Sequence, residues 1–127
     1  MAMKKDDRKD LHDKGRGPGF LISIHLNCSV KDSLNGLSTY FRNIVFKPLT
    51  QFVLNRMLEL GLNEFVKVGS SNFALTDFTD YPNCLVEVAF LSIKVEKKIL
   101  DPEFHKAVAG KIVAGIKDWL KSCKKGF

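Results

Sequence analysis

The chain has 127 residues, 45% of them hydrophobic and 27% charged, with a mean hydropathy of -0.06. That length and balance describe one soluble globular domain with one core, and they argue against disordered, fibrous and membrane-spanning classes. No stretch approaches the ~18 to 20 apolar residues of a membrane-spanning helix, and the polar first residues carry no secretory signal.

The formal charge of +6 is uneven, with six basic and four acidic residues from Met1 to Arg16 and four lysines against Asp118 from Lys117 to Phe127. Charged ends of this kind keep a protein soluble, and neither holds the interleaved aromatics of a single-strand binder, so they do not point to nucleic acid. Cys28, Cys84 and Cys123 are odd in number and widely spaced. They fit neither a disulfide framework nor a zinc knuckle and read as free thiols.

In chain order, residues 1–19 are charged and then glycine-rich without periodicity, which predicts a flexible basic arm before a domain spanning residues 20–127. Phe20 to Leu26 (Phe-Leu-Ile-Ser-Ile-His-Leu) is a nearly continuous apolar run, the pattern of a strand covered on both faces. Leu37 to Phe41 follows the Asn35 and Gly36 turn signal as a second strand. From Pro48 to Leu60, apolar residues at spacings of three and four predict an amphipathic helix that ends at Gly61. Asn72 to Leu75 suggests a short strand, and Cys84 to Phe90 a strongly apolar one. Lys94 to Leu100 suggests a short helix. Asp101 and Pro102 then supply an N-cap and first-turn proline for a long helix with Phe104, Val108, Ile112, Ile116, Trp119 and Leu120 on one face. Trp119 is therefore expected to be at least partly buried.

Glu87 stands inside Leu-Val-Glu-Val-Ala-Phe, a strand otherwise apolar on both faces. Burying an unpaired carboxylate is costly, so Glu87 either reaches solvent at a strand end or has a partner, a proton or a water-filled cavity. The second case is that of a general acid or base with a tuned pKa. His25 also interrupts an apolar strand, with Ser23 and Asn27 on its face by two-residue alternation and Ile22, Ile24 and Leu26 on the other. Open α/β sheets place ligand sites at the carboxyl ends of strands. A histidine and a glutamate meeting there would suit a metal hydrolase.

These segments carry a resemblance. Phe20-Leu-Ile-Ser-Ile-His25-Leu-Asn27, Asn35-Gly-Leu-Ser-Thr-Tyr-Phe41, Pro82-Asn-Cys-Leu-Val-Glu87-Val-Ala-Phe-Leu-Ser92 and Ile99-Leu-Asp-Pro-Glu-Phe104, in this order, resemble the C-terminal part of the zinc-dependent N-acetylmuramoyl-L-alanine amidase catalytic domain of the amidase-3 type, over about Phe20 to Leu120. The resemblance implies a three-layer α/β domain, with a mixed, mostly parallel sheet and helices on both faces, lacking its N-terminal strand and helix. It implies that His25 is a zinc ligand and Glu87 the catalytic glutamate. The implied reaction hydrolyses the amide between the lactyl group of N-acetylmuramic acid and the L-alanine of peptidoglycan.

The family also takes a zinc ligand from an N-terminal Gly-His-Gly turn and another from a glutamate on the following helix. Neither motif is present here, so zinc is the implied cofactor at an incomplete site. Ile93 stands where the family has asparagine. Of the other histidines, His12 falls in the arm and His105 on the surface of the last helix. The implied partner is peptidoglycan or a muropeptide, the implied location the periplasm or cell exterior, and an uncovered sheet edge would favour self-association. The alternative is a catalytically incomplete module that binds peptidoglycan or a partner protein; a basic module for anionic polymers is a third, marked by steep salt dependence.

Overall fold

A computed structural model describes residues 19–28, 36–70, 82–91 and 93–125, with backbone alone at 66, 67 and 93–95. The elements are β1 (Leu21–Asn27), β2 (Leu37–Phe41), a 3-10 turn (Ile44–Phe46), α1 (Lys47–Leu58), β3 (Glu64–Ser70), β4 (Asn83–Phe90), α2 (Ile93–Ile99) and α3 (Pro102–Lys125). The strands form one sheet in the order β1-β4-β2-β3. β1 with β4 and β2 with β3 run parallel, while β2 and β4 run antiparallel. The result is the mixed, mostly parallel α/β sheet that the sequence indicates.

Each element follows from its local chemistry. Asn43 caps the 3-10 turn by accepting from the Val45 N–H at 3.0 Å, and α1 continues from it with Pro48 in its first turn. Asp101 accepts from the Glu103 N–H at 3.0 Å and caps α3, as its sequence predicts. Gly36 has φ 136, and a Cβ there would stand 2.8 Å from Phe65 and 2.9 Å from the Asn63 carbonyl. A side chain at this position would separate the start of β2 from β3.

The core lies between one sheet face and the two long helices. Leu37, Cys84, Val86 and Val88 of the sheet meet Leu49, Val53, Leu54 and Met57 of α1 and Val108 and Ile112 of α3. Burying each large aliphatic side chain contributes about 1.5–3 kcal/mol. β4 is buried on its opposite face as well, at Asn83, Leu85 and Ala89, as expected of a central strand. Trp119 is partly buried against this core, its ring edge-on to Phe20 at 5.8 Å between centroids. The helices are also joined by Arg56, which donates through Nε and Nη2 to the two oxygens of Asp118 at 2.6 and 3.2 Å.

Two expectations are corrected and one strand is added. The apolar run of β1 is not covered on both faces: Ile24 is 54% and Leu26 41% exposed, because β4 is its neighbour in the described sheet and a cleft of about 340 Å³ separates these side chains from Phe104 and Val108. Leu120 is 40% exposed, since Trp119 takes the inward position at that turn of α3. β3, a strand that the sequence pattern does not announce, forms the far edge of the described sheet. The strand expected at 72–75 and the arm at 1–18 lie outside the described residues. The cysteines are free, with Cys28 exposed, Cys123 half-buried and Cys84 buried, its thiol pushed up to about 12 by that burial. No helix among the described residues is long and apolar enough to cross a membrane.

Gly115 sets the distance between α1 and α3, because a Cβ there would lie 2.6 Å from the Val53 Cα and 2.9 Å from the Phe52 carbonyl. Gly115→Ala should therefore destabilise the protein by roughly 1–3 kcal/mol despite alanine's better helix propensity. Gly110 on the same helix has open space, with nothing within 4 Å of where a Cβ would stand, so Gly110→Ala should gain about 0.5–1 kcal/mol. Thermal or urea unfolding checks both, and equal midpoints for the two variants would contradict the close helix contact.

Candidate functional site

The parallel register of β1 on β4 places His25 directly opposite Glu87. On its other side Glu87 faces Ser38 of β2, so His25, Glu87 and Ser38 form a row across three adjacent strands. Directly paired residues share a sheet face. This is the face turned away from the α1 and α3 core, since Cys84, Val86 and Val88 alternate with Glu87 along β4. The sequence-predicted His25 and Glu87 are thus brought together, and near the carboxyl ends of both strands.

The polar side chains of β1 complete the cluster. Ser23 Oγ is hydrogen-bonded to His25 Nε2 at 2.6 Å, and Asn27 Nδ2 donates to Glu87 Oε2 at 2.7 Å. Two-residue alternation puts Ser23, His25 and Asn27 on one face and lets Ser23 meet His25, but the bond from Asn27 to Glu87 follows only from the β1–β4 register. Ser38, buried beside Glu87, carries no sequence signal of a role here. Its serine-threonine run reads as an ordinary strand until the antiparallel pairing of β2 with β4 is known. His105 is exposed, as expected, and its Nε2 is hydrogen-bonded to the Ile99 carbonyl at the end of α2.

Burial pushes the Glu87 carboxyl above the ordinary carboxylate range, opposed by the nearby His25 and by the hydrogen bond from Asn27. Desolvation outweighs both, so this carboxyl holds its proton more tightly than an ordinary glutamate. Zinc is the metal that the resemblance implies, and a catalytic zinc takes three protein ligands. His25 and Glu87 are donor types that zinc accepts, but among the described residues no three His, Cys, Asp or Glu side chains converge. The described residues do not complete a zinc site.

The raised carboxyl gives a stability prediction for the metal-free protein. The folded state holds the Glu87 proton more tightly than the unfolded chain, so this group favours folding at low pH and loses that contribution as pH rises from the ordinary value of ~4.3 through the raised one. Glu87→Gln removes the titration. Its stability relative to wild type should rise between about pH 4 and 7, measured by urea unfolding at each pH; a constant difference across that range would contradict the raised carboxyl.

Comparison with known proteins agrees with this fold. The N-acetylmuramoyl-L-alanine amidase family profile matches residues 2–118. Among solved structures, an N-acetylmuramoyl-L-alanine amidase from Clostridium difficile 630 superposes with a TM-score of 0.83 at 26% identity, covering 96% of this chain and 68% of that one. The catalytic domain of CwlV, an N-acetylmuramoyl-L-alanine amidase from Bacillus (Paenibacillus) polymyxa var. colistinus, gives 0.82 at 25% identity, covering 95% and 68%. AmiC2 of Nostoc punctiforme shares the fold, with a TM-score of 0.81 at 18% identity over 95% of this chain and 67% of that one. No curated protein sequence matches the chain. The profile covers nearly the whole sequence: the chain belongs to the N-acetylmuramoyl-L-alanine amidase family.

Proposed function

We propose that this domain hydrolyses the amide joining N-acetylmuramic acid to the first L-alanine of the peptidoglycan stem, with Glu87 as general base and then general acid. The observation that carries the reading is the register pair His25 and Glu87 at the carboxyl end of two parallel strands. Glu87 takes a proton from the attacking water and returns it to the departing alanine nitrogen. Burial raises its pKa, which favours a carboxyl that can hold the proton between the two transfers. His25 is the residue of this pair suited to hold zinc, a metal that supplies Lewis acidity toward the carbonyl and the water where it is bound. The substrate places the domain's work at the cell wall, outside the cytoplasmic membrane. Self-association would use the backbone edge of β1, the outermost strand on that side of the described sheet.

The competing reading, a module that binds peptidoglycan without cleaving it, predicts muropeptide binding with no new L-alanine amino groups. With zinc supplied, wild-type protein should release those amino groups from purified peptidoglycan. Glu87→Gln keeps the side-chain volume and should lower the rate by at least ~10²-fold without unfolding the protein. His25→Ala should lose zinc affinity and hydrolysis together. Full hydrolysis by Glu87→Gln would remove Glu87 from the mechanism, and binding without release by wild type would favour the module.

A further inference from the structure

Asn27 lies where the β1–β4 ladder changes step. His25 pairs with Glu87 but Asn27 pairs with Phe90, so β1 advances two residues (25 to 27) while β4 advances three (87 to 90). Bulges of this kind re-aim side chains and are common beside functional sites. Just past the slip, the Asn27 carbonyl accepts from the Leu91 N–H at 2.8 Å, which ties its backbone to the end of β4. Its side-chain Oδ1 accepts from the Cys28 N–H at 2.8 Å. An N–H can only donate, so this bond fixes which end of the amide is which and leaves Nδ2 directed at Glu87 Oε2, 2.7 Å away. The donor is held on both sides before it meets the carboxylate.

We propose that Asn27 is a positioning residue for Glu87, holding its carboxylate beside His25 in the orientation that proton transfer requires. The proposal rests on the hydrolytic reading above. Asn27 does not touch the reacting atoms; it acts through Glu87. The carboxylate has two oxygens, and fixing Oε2 leaves Oε1 as the oxygen that exchanges a proton with water. A freely rotating glutamate would reach that orientation in a fraction of its conformers, which lowers the rate of the chemical step without weakening substrate binding.

The test uses Asn27→Asp, which keeps the shape and the bond from the Cys28 N–H but replaces the donor with an acceptor, and Asn27→Ala, which removes both bonds. On wild-type protein and both variants supplied with zinc, steady-state hydrolysis of a muropeptide is measured together with thermal unfolding, and a crystal structure of each variant is determined. The expected result is a kcat lowered by about 10- to 100-fold, a loss of the size seen when the outer partners that orient a metal site's ligands are removed, with KM changed by less than about threefold. Glu87 should be turned away or spread over several conformers in both variants. Combining Asn27→Ala with Glu87→Gln should lower the rate no further than Glu87→Gln alone. Wild-type kcat in either folded variant would overturn the proposal, as would a Glu87 side chain that stays in place in both crystal structures. If wild-type protein hydrolyses nothing, the hydrolytic reading fails, and the Glu87 conformation in the two variant structures alone decides the role of Asn27.

Discussion

The parallel pairing of β1 with β4 is the constraint on which both halves of this protein depend. Side chains alternate faces along a strand, so the register that sets His25 opposite Glu87 also directs Ile22, Ile24 and Leu26 toward α3 and Val86 and Val88 into the core. A slip of one residue would carry the imidazole into the apolar face and an isoleucine or leucine into the polar one. The pairing is anchored at its ends by the bond from the Leu21 N–H to the Pro82 carbonyl and from the Leu91 N–H to the Asn27 carbonyl. Packing enforces the same register from the helix side. Phe20 meets Trp119, Gly115 lets α3 approach α1, and Val108 and Ile112 close over Val86 and Val88.

The two faces of the sheet have opposite energetics. On the helix face apolar burial stabilises the fold. On the other face β4 carries a carboxylate between His25 and Ser38, and its partial desolvation works against folding when it is ionised. The cost is reduced by the Asn27 hydrogen bond and by the neighbouring imidazole rather than removed. Glu87 thus departs from the apolar pattern that the rest of β4 follows. Arg56 and Asp118 contrast with this pair. They are oppositely charged and hydrogen-bonded to each other, but they are partly exposed between two helices and contribute modestly to stability.

Much of this is legible in the sequence because it depends on period and punctuation. Leu37 to Phe41 is found where its β-forming residues and the preceding Gly36 place it, α3 begins at the Asp101 and Pro102 signal, and Glu87 announces itself as a charge inside an apolar strand. What the sequence hides depends on pairing. β3 (Glu64–Ser70) has the sequence Glu-Phe-Val-Lys-Val-Gly-Ser, with a charge and a glycine among its apolar residues, and its register with β2 shifts twice, so its identity as a strand comes from its neighbour. The apolar run of β1 resembles a strand covered on both faces, although Ile24 and Leu26 are exposed, because composition does not say which strands lie next to it. The bulge at Asn27 has no sequence signature at all. The family match also begins at residue 2, inside a charged segment whose lack of periodicity reads as an arm, and only comparison with relatives extends the resemblance that far.

The most direct measurement is of the β1–β4 register in solution, by through-space NMR contacts between backbone protons of the two strands. The account predicts contacts that pair His25 with Glu87 and, beyond the slip, Asn27 with Phe90. Contacts displaced by one residue, pairing His25 with Val86 or Val88, would put the imidazole and the carboxylate on opposite faces and contradict the site, the proposed chemistry and the role of Asn27 together.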